Sequence, residues 1–256
     1  MAGIIAFFVV AFAACALASV SGFGTATMTI PFLAMIVGLK AAIPLIATFH
    51  GFSGLWRLVQ LRRMVNWRLM LLYGVPSVIT AWLGARLFLT VSVEAIGLGV
   101  GIFLILWAIY SFATPGKTMP EKAWILTIGG CISGFTAGLI GLGGAIRGAF
   151  LVSTKMKKET YIATTSAIAL ITDITRCTTY AVQGSFAPQH YWYIPVFFVI
   201  GFFGSWVGVQ QVLKRLPELV VKRVVYVVLV LVSINFILGY FGMGLTQLVT
   251  GVAGGH

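Results

Sequence analysis

Apolar residues fill this chain in long runs, separated by short polar or glycine-rich stretches. Runs of helix length fall at 2–21, 41–61, 69–89, 94–113, 123–140, 160–182, 191–213 and 219–240. At a rise of ~1.5 Å per residue each approaches or exceeds the ~30 Å of a hydrocarbon core, and so predicts a membrane-crossing helix. Two further apolar segments are too short to cross: 25–38 would be ~21 Å long and 145–154 ~15 Å. Each follows a glycine-rich break, Gly22-Phe23-Gly24-Thr25-Ala26-Thr27 in one case and Gly141-Leu142-Gly143-Gly144-Ala145-Ile146-Arg147-Gly148 in the other. Glycine tolerates backbone angles other residues avoid, so both breaks predict a helix that stops and restarts. In a bilayer, interrupted backbone persists only when buried in protein or lining a watery cavity. A restarted helix turns its unpaired N–H groups, and the positive end of its dipole, toward the break. Two breaks facing each other would make an anion site.

The pattern occurs twice. Gly22 and Gly24 correspond to Gly141 and Gly143 at one offset (141 − 22 = 119), and the same offset pairs Arg57 with Arg176 and Pro76 with Pro195. After a small insertion, Gly84 pairs with Gly208 and Glu94 with Glu218. Each half therefore predicts a long helix, a glycine break, a half-helix and three further long helices. Residues 1–113 form the first repeat, 114–122 a linker and 123–256 the second repeat.

Charge orients the halves. Arg62, Arg63 and Arg68 mark the loop before 69–89 as cytoplasmic, while the matching loop of the second half, 183–190, has no Lys or Arg. The next pair reverses this, with 90–93 uncharged and Lys214, Arg215, Lys222 and Arg223 around its counterpart. Lys155, Lys157 and Lys158 end the second half-helix inside, a lone Lys40 ends the first outside, and Lys117 and Lys122 put the linker in the cytoplasm. All of these agree if the second repeat is inverted and both termini lie outside. The fold class expected is an all-α polytopic membrane protein of two inverted-topology repeats, the build of secondary transporters.

Composition concurs: 60% hydrophobic and 9% charged residues, with mean hydropathy +1.05, against about 25% charged in soluble domains. The net charge of +12 comes from clusters between apolar runs rather than a basic face, which argues against a nucleic-acid partner. No Lys or Arg precedes the first apolar run, and a like run recurs at mid-chain, so the first is read as retained rather than as a cleaved signal. Cys15, Cys131 and Cys177 show no metal or disulfide spacing and read as small buried side chains. The breaks lack the third glycine of a dinucleotide loop and the Lys-Ser/Thr of a phosphate loop. No His-Glu-x-x-His or Ser-x-x-Lys is present, so an intramembrane enzyme finds no support, and no cofactor or metal site is expected.

Several residues are candidates for the site. Arg147 falls in the first turn of the second half-helix beside Gly143 and Gly144. A midplane arginine costs on the order of 2.5–3.5 kcal/mol even on lenient insertion scales, so it calls for an anionic or carbonyl partner. Substrate contact, snorkelling to the surface and pairing with Asp173 are the alternatives. Asp173 is the one acidic residue deep in a predicted helix, and Arg176 shares its helical face at i,i+3. The two form either a structural ion pair or a proton-binding site. Arg57, matching Arg176 but with Gly54 where Asp173 would be, reads first as a snorkelling arginine and second as lining a vestibule. His50 is either a packed core histidine or a proton shuttle and anion donor. Gly24, Thr25, Thr27, Thr164, Thr165 and Ser166 place backbone N–H and hydroxyl groups near the breaks, though hydroxyls also bond back to their own helix. Glycines such as Gly201, Gly204 and Gly208 read as helix-packing residues.

The ordered set of motifs resembles the TauE/SafE family of sulfite-exporter-like anion permeases. The likeness is carried by Gly22-Phe23-Gly24 through Pro31, by Gly138-Leu139-Ile140-Gly141-Leu142-Gly143-Gly144, by Ala163-Thr164-Thr165-Ser166 through Tyr180 and Gly184, and by Asn66-Trp67-Arg68 and Gly84-Ala85-Arg86. It covers nearly the whole chain. The resemblance implies an inner-membrane, proton- or gradient-coupled carrier of sulfite, sulfonates or related small sulfur-containing anions. An uncoupled anion channel and a carrier of another small organic anion are the alternatives. A homo-oligomer is compatible with the pattern. One departure stands out: Phe150 occupies the position matching Pro31, and Arg147 is an added cation. That points to a substrate with a second negative group or to an internal charge partner.

Overall fold

The computed structural model describes residues 2–90, 122–152, 154 and 156–217, with isolated helical positions between 102 and 109 and between 220 and 238. The predicted helices 94–113 and 219–240, and the linker 114–122 apart from Lys122, lie outside the fully described residues. The described chain is helical and contains no strand. Its helices are α1 (Ala2–Ser21), α2 (Thr25–Val37), α3 (Leu39–Leu61), α4 (Trp67–Leu87), α5 (Ala123–Ile140), α6 (Gly143–Val152), α7 (Lys158–Val182) and α8 (Tyr193–Val207). Beyond α8 the chain continues through a π turn, Gly208–Val212, and a 3₁₀ turn, Leu213–Arg215. The helices lie within a few residues of the apolar runs that predict them. Both half-helices are present, α2 with 13 residues and α6 with 10.

Among the described residues, four segments are long and apolar enough to cross a membrane: Gly3–Ser21, Trp67–Leu87, Ala123–Ile140 and Pro188–Arg215. Their outer faces stay apolar. On α4, Leu71, Val75, Ile79 and Leu83 recur every fourth residue and are all exposed, which suits a face turned to lipid. Trp67 and Trp124 stand exposed at the starts of α4 and α5, where amphipathic rings sit at a membrane interface. Helices α3 and α7 are long as well, but they carry the polar residues. They pack on each other, α3 also meeting α2 and α8, and α7 also meeting α4 and α6. Polar side chains that lipid would reject are thereby enclosed by apolar helices.

Close approach fixes how the helices lie against each other. A β-carbon on Gly130, Gly134 or Gly138 of α5 would stand 2.2, 2.0 or 2.1 Å from the carbonyl oxygen of Tyr73, Ser77 or Ala81 of α4. The partner numbers rise together, so α4 and α5 are parallel and in backbone contact along three turns. Gly204 of α8 and Gly208, which opens the following π turn, similarly face Cys15 and Ser19 of α1, again in parallel. Helices α3 and α7 run the other way, since His50 meets Asp173 while Arg57 meets Ser166. The main contacts also exchange with one another when the halves are swapped: α1 with α2 against α5 with α6, α2 with α3 against α6 with α7, α3 with α8 against α7 with α4, and α4 with α5 against α8 with α1.

Gly134→Ala should force α4 and α5 apart, costing about 1–3 kcal/mol or more by overpacking. The expected result is a lower thermal midpoint in detergent. Gly3→Ala, where a β-carbon meets nothing within 4 Å, should leave the midpoint unchanged.

Candidate functional site

The two breaks are built from backbone that favours glycine. Gly22 and Gly24 have φ of 80° and 109°, and Gly141, which closes α5, has φ of 82°. Local groups then satisfy the exposed polar atoms. Ser21 Oγ donates to the Phe23 carbonyl at 2.5 Å, and Tyr161 OH donates to the Ser21 carbonyl at 2.9 Å. At the second break, Ser133 Oγ donates to the Gly143 carbonyl at 2.8 Å, Arg176 Nη1 to the Ala137 carbonyl at 3.1 Å, and Tyr180 OH to the Gly138 carbonyl. Arg176 thus sits at the negative end of the α5 dipole, where a cation is favoured.

The breaks abut. A β-carbon on Gly144 would lie 3.2 Å from Phe23 Cβ, and one on Gly148 only 2.5 Å from the Phe23 ring. In return, Gly141 faces Ile30 of α2 at 2.8 Å. The position over Gly144 is also 3.8 Å from Arg147 Nη2 and 4.0 Å from His50 Nε2. Those two polar groups converge on the junction of the half-helices.

The electrostatics are lopsided. Arg57, Arg147 and Arg176 are 0%, 2% and 2% exposed, and the buried carboxylate among the described residues is Asp173. Asp173 is fully engaged. Its Oδ1 accepts from Arg176 Nε at 2.8 Å and lies 2.7 Å from Arg176 Nη2, while Oδ2 is 2.6 Å from His50 Nδ1. The carboxylate holds the His50 ring so that Nε2 faces the break. Arg147 neither reaches the surface nor pairs with Asp173, and its Nε and Nη2 have no hydrogen-bond partner. Thr25 Oγ1, fully buried at the first break, likewise has none.

The other predicted residues divide by role. Gly24 caps α2, and Gly143 packs tightly on Ser133 and Ala137 of α5. Thr27 Oγ1 donates to the Gly24 carbonyl at 3.1 Å, and Thr165 Oγ1 to the Tyr161 and Ile162 carbonyls at 2.9 and 3.0 Å. Their protons are therefore engaged within the protein in this conformation. Thr164 Oγ1 accepts from the Asn66 N–H. Ser166 Oγ accepts from Arg57 Nε at 3.3 Å.

Arg57 departs from the surface position that the sequence predicts, being fully buried. Its guanidinium does not snorkel. Nη1 donates to Ser53 Oγ at 3.3 Å, and Nη2 is buried without a partner. The legible signal was the stripe His50, Ser53 and Arg57, which lies on one face of α3 at i, i+3 and i+7. Proximity to the helix end argued for a surface position, and only the antiparallel partner α7 shows which way that face points.

A family model described as "Sulfite exporter TauE/SafE" matches residues 7–236 of the 256-residue chain. No curated protein and no solved structure matches it.

Removing one partner of a buried ion pair leaves the other uncompensated, at about 3–5 kcal/mol. Asp173→Asn should therefore lower the thermal midpoint sharply, because it strands Arg176. Glu159→Gln, whose 3.6 Å contact with Lys158 is partly exposed, should change the midpoint little. Thermal unfolding of both variants in the same detergent measures the difference.

Proposed function

The chain belongs to the TauE/SafE sulfite exporter family, and we propose that it is a secondary-active carrier of a small sulfur-containing anion, sulfite or an organosulfonate, across the cell's inner membrane. Its family's membership among membrane anion transporters fits the absence from the sequence of any hydrolytic motif that would drive an enzyme reading. The observation that carries the proposal is Arg147, buried beside the second break with two guanidinium nitrogens unpartnered. A charge in that position is stable when an anion occupies the break. The N–H groups opening α6 at Gly143 and Gly144, and those following Gly24, add the positive ends of two helix dipoles. Thr25 Oγ1 supplies a free donor from the first break, and Ser166 lies alongside through Arg57. Thr27 and Thr165 would join after a change of rotamer.

Alternating access would come from one inverted repeat rocking against the other. This reading is supported by the antiparallel α3 and α7 and by contacts that exchange when the halves are swapped. Among the described residues, the buried element able to respond to a proton is the His50–Asp173–Arg176 cluster between α3 and α7. Sliding α3 against α7 would break it.

In proteoliposomes of the full chain, uptake of sulfite should saturate and follow an imposed gradient. Arg147→Ala should reduce uptake at low substrate about tenfold or more, as expected for loss of a hydrogen bond to a charged group. Unchanged uptake in a folded Arg147→Ala variant would make that arginine structural and remove the proposal's support. Uptake that never saturates would indicate a channel. Cysteines introduced at Gln189 and Arg63 should be labelled from opposite faces of the membrane; labelling from one face would rule out the inverted arrangement.

A further inference from the structure

Beyond the presence of an anion site, the buried charges specify how much negative charge its occupant carries. Asp173 is committed on both oxygens, to Arg176 and to His50. It is the one acidic residue among the described buried groups. Neither Arg57 nor Arg147 has a carboxylate within 4 Å among the described residues. The acceptors that Arg57 does have, Ser53 Oγ and Ser166 Oγ, are neutral and long at 3.3 Å. Its Nη2, like Nε and Nη2 of Arg147, donates to nothing.

Helix α3 links the two arginines. Arg57 Nη1 donates to Ser53 Oγ, one turn along α3 from His50. A β-carbon on Gly144 would lie 4.0 Å from His50 Nε2 and 3.8 Å from Arg147 Nη2. Arg57 comes from the first half of the chain and Arg147 from the second. An empty or neutral-occupied site would hold two uncompensated cations in a water-poor interior, and a monovalent anion would still leave one. A divalent anion balances both.

We propose that the site selects divalent anions, Arg147 and Arg57 each compensating one negative charge, and that Arg57 is the residue that sets this charge preference. The inference rests on the carrier reading above and names the substrate class within it. The shared chemistry is a pair of negative charges, whether both lie on one sulfur oxyanion or one lies on a sulfonate and the other on a carboxylate. It also accounts for the family departure at Arg147. The cation is not neutralised from within, so the second negative charge comes with the ligand.

The test is titration calorimetry on the purified full chain at neutral pH and fixed ionic strength. Thiosulfate carries both charges on one group, sulfoacetate carries them on two, and isethionate is a monovalent match for sulfoacetate in size. Wild type should bind at least one divalent anion about tenfold or more tightly than isethionate, and Arg57→Gln should erase that advantage by weakening the divalent anions far more than isethionate. The thermal midpoint without ligand reports whether the variant is folded. If it is not, the wild-type ratio decides alone. Which of thiosulfate and sulfoacetate binds more tightly identifies the source of the second charge. Equal affinity for isethionate and both divalent anions, or equal weakening of all three by Arg57→Gln, overturns the charge preference and leaves the carrier reading standing. Failure of every anion to bind removes both.

Discussion

A buried guanidinium must find negative charge, and most of this structure can be read as the response to that requirement. Three arginines lie inside a bundle that holds one buried carboxylate among its described residues. Arg176 takes that carboxylate and adds a helix-end carbonyl. Arg57 takes two serine hydroxyls, and Arg147 is left facing the junction of two half-helices. Desolvation makes such charges costly, on the order of several kcal/mol per ion even after relaxation.

The surroundings keep that imbalance dry. Helices α3 and α7 carry the polar residues and are enclosed by α1, α4, α5 and α8, whose outer faces are apolar. Enclosure depends on helices approaching to backbone contact, which the glycines of α5 permit against α4 and those of α8 permit against α1. Larger side chains at these positions would force the helices apart. Packing and electrostatics are coupled here, because the strength of the charges depends on the exclusion of water.

The halves repeat in outline but differ in chemistry. At the 119-residue offset, Arg57 corresponds to Arg176, but Asp173 corresponds to Gly54 and His50 to Ala169. One arginine therefore gains an internal partner and its counterpart does not. The two positions lie on α3 and α7, which pack against each other, and Arg176 is paired with a carboxylate where Arg57 meets only serine hydroxyls. The second half-helix adds Arg147 where the first has no cation at all.

Much of this was legible in the sequence. Long apolar runs, two short segments after glycine pairs and the matching offsets predict helices, half-helices and their order, because helix length and bilayer thickness constrain each run independently of its neighbours. The loop charges likewise predict relative directions. What the chain could not disclose was which charges meet. Whether Asp173 met Arg147 or Arg176 was open, as was whether Arg57 reached the surface, because these depend on how separate helices pack, His50 and Ser166 being 123 and 109 residues from the groups they meet. The antiparallel register of α3 and α7 set His50 against Asp173 and Ser166 against Arg57, while Nε and Nη2 of Arg147 found no hydrogen-bond partner at the second break. Local pattern determines a helix, whereas the partner of a buried charge is determined only when the helices are packed.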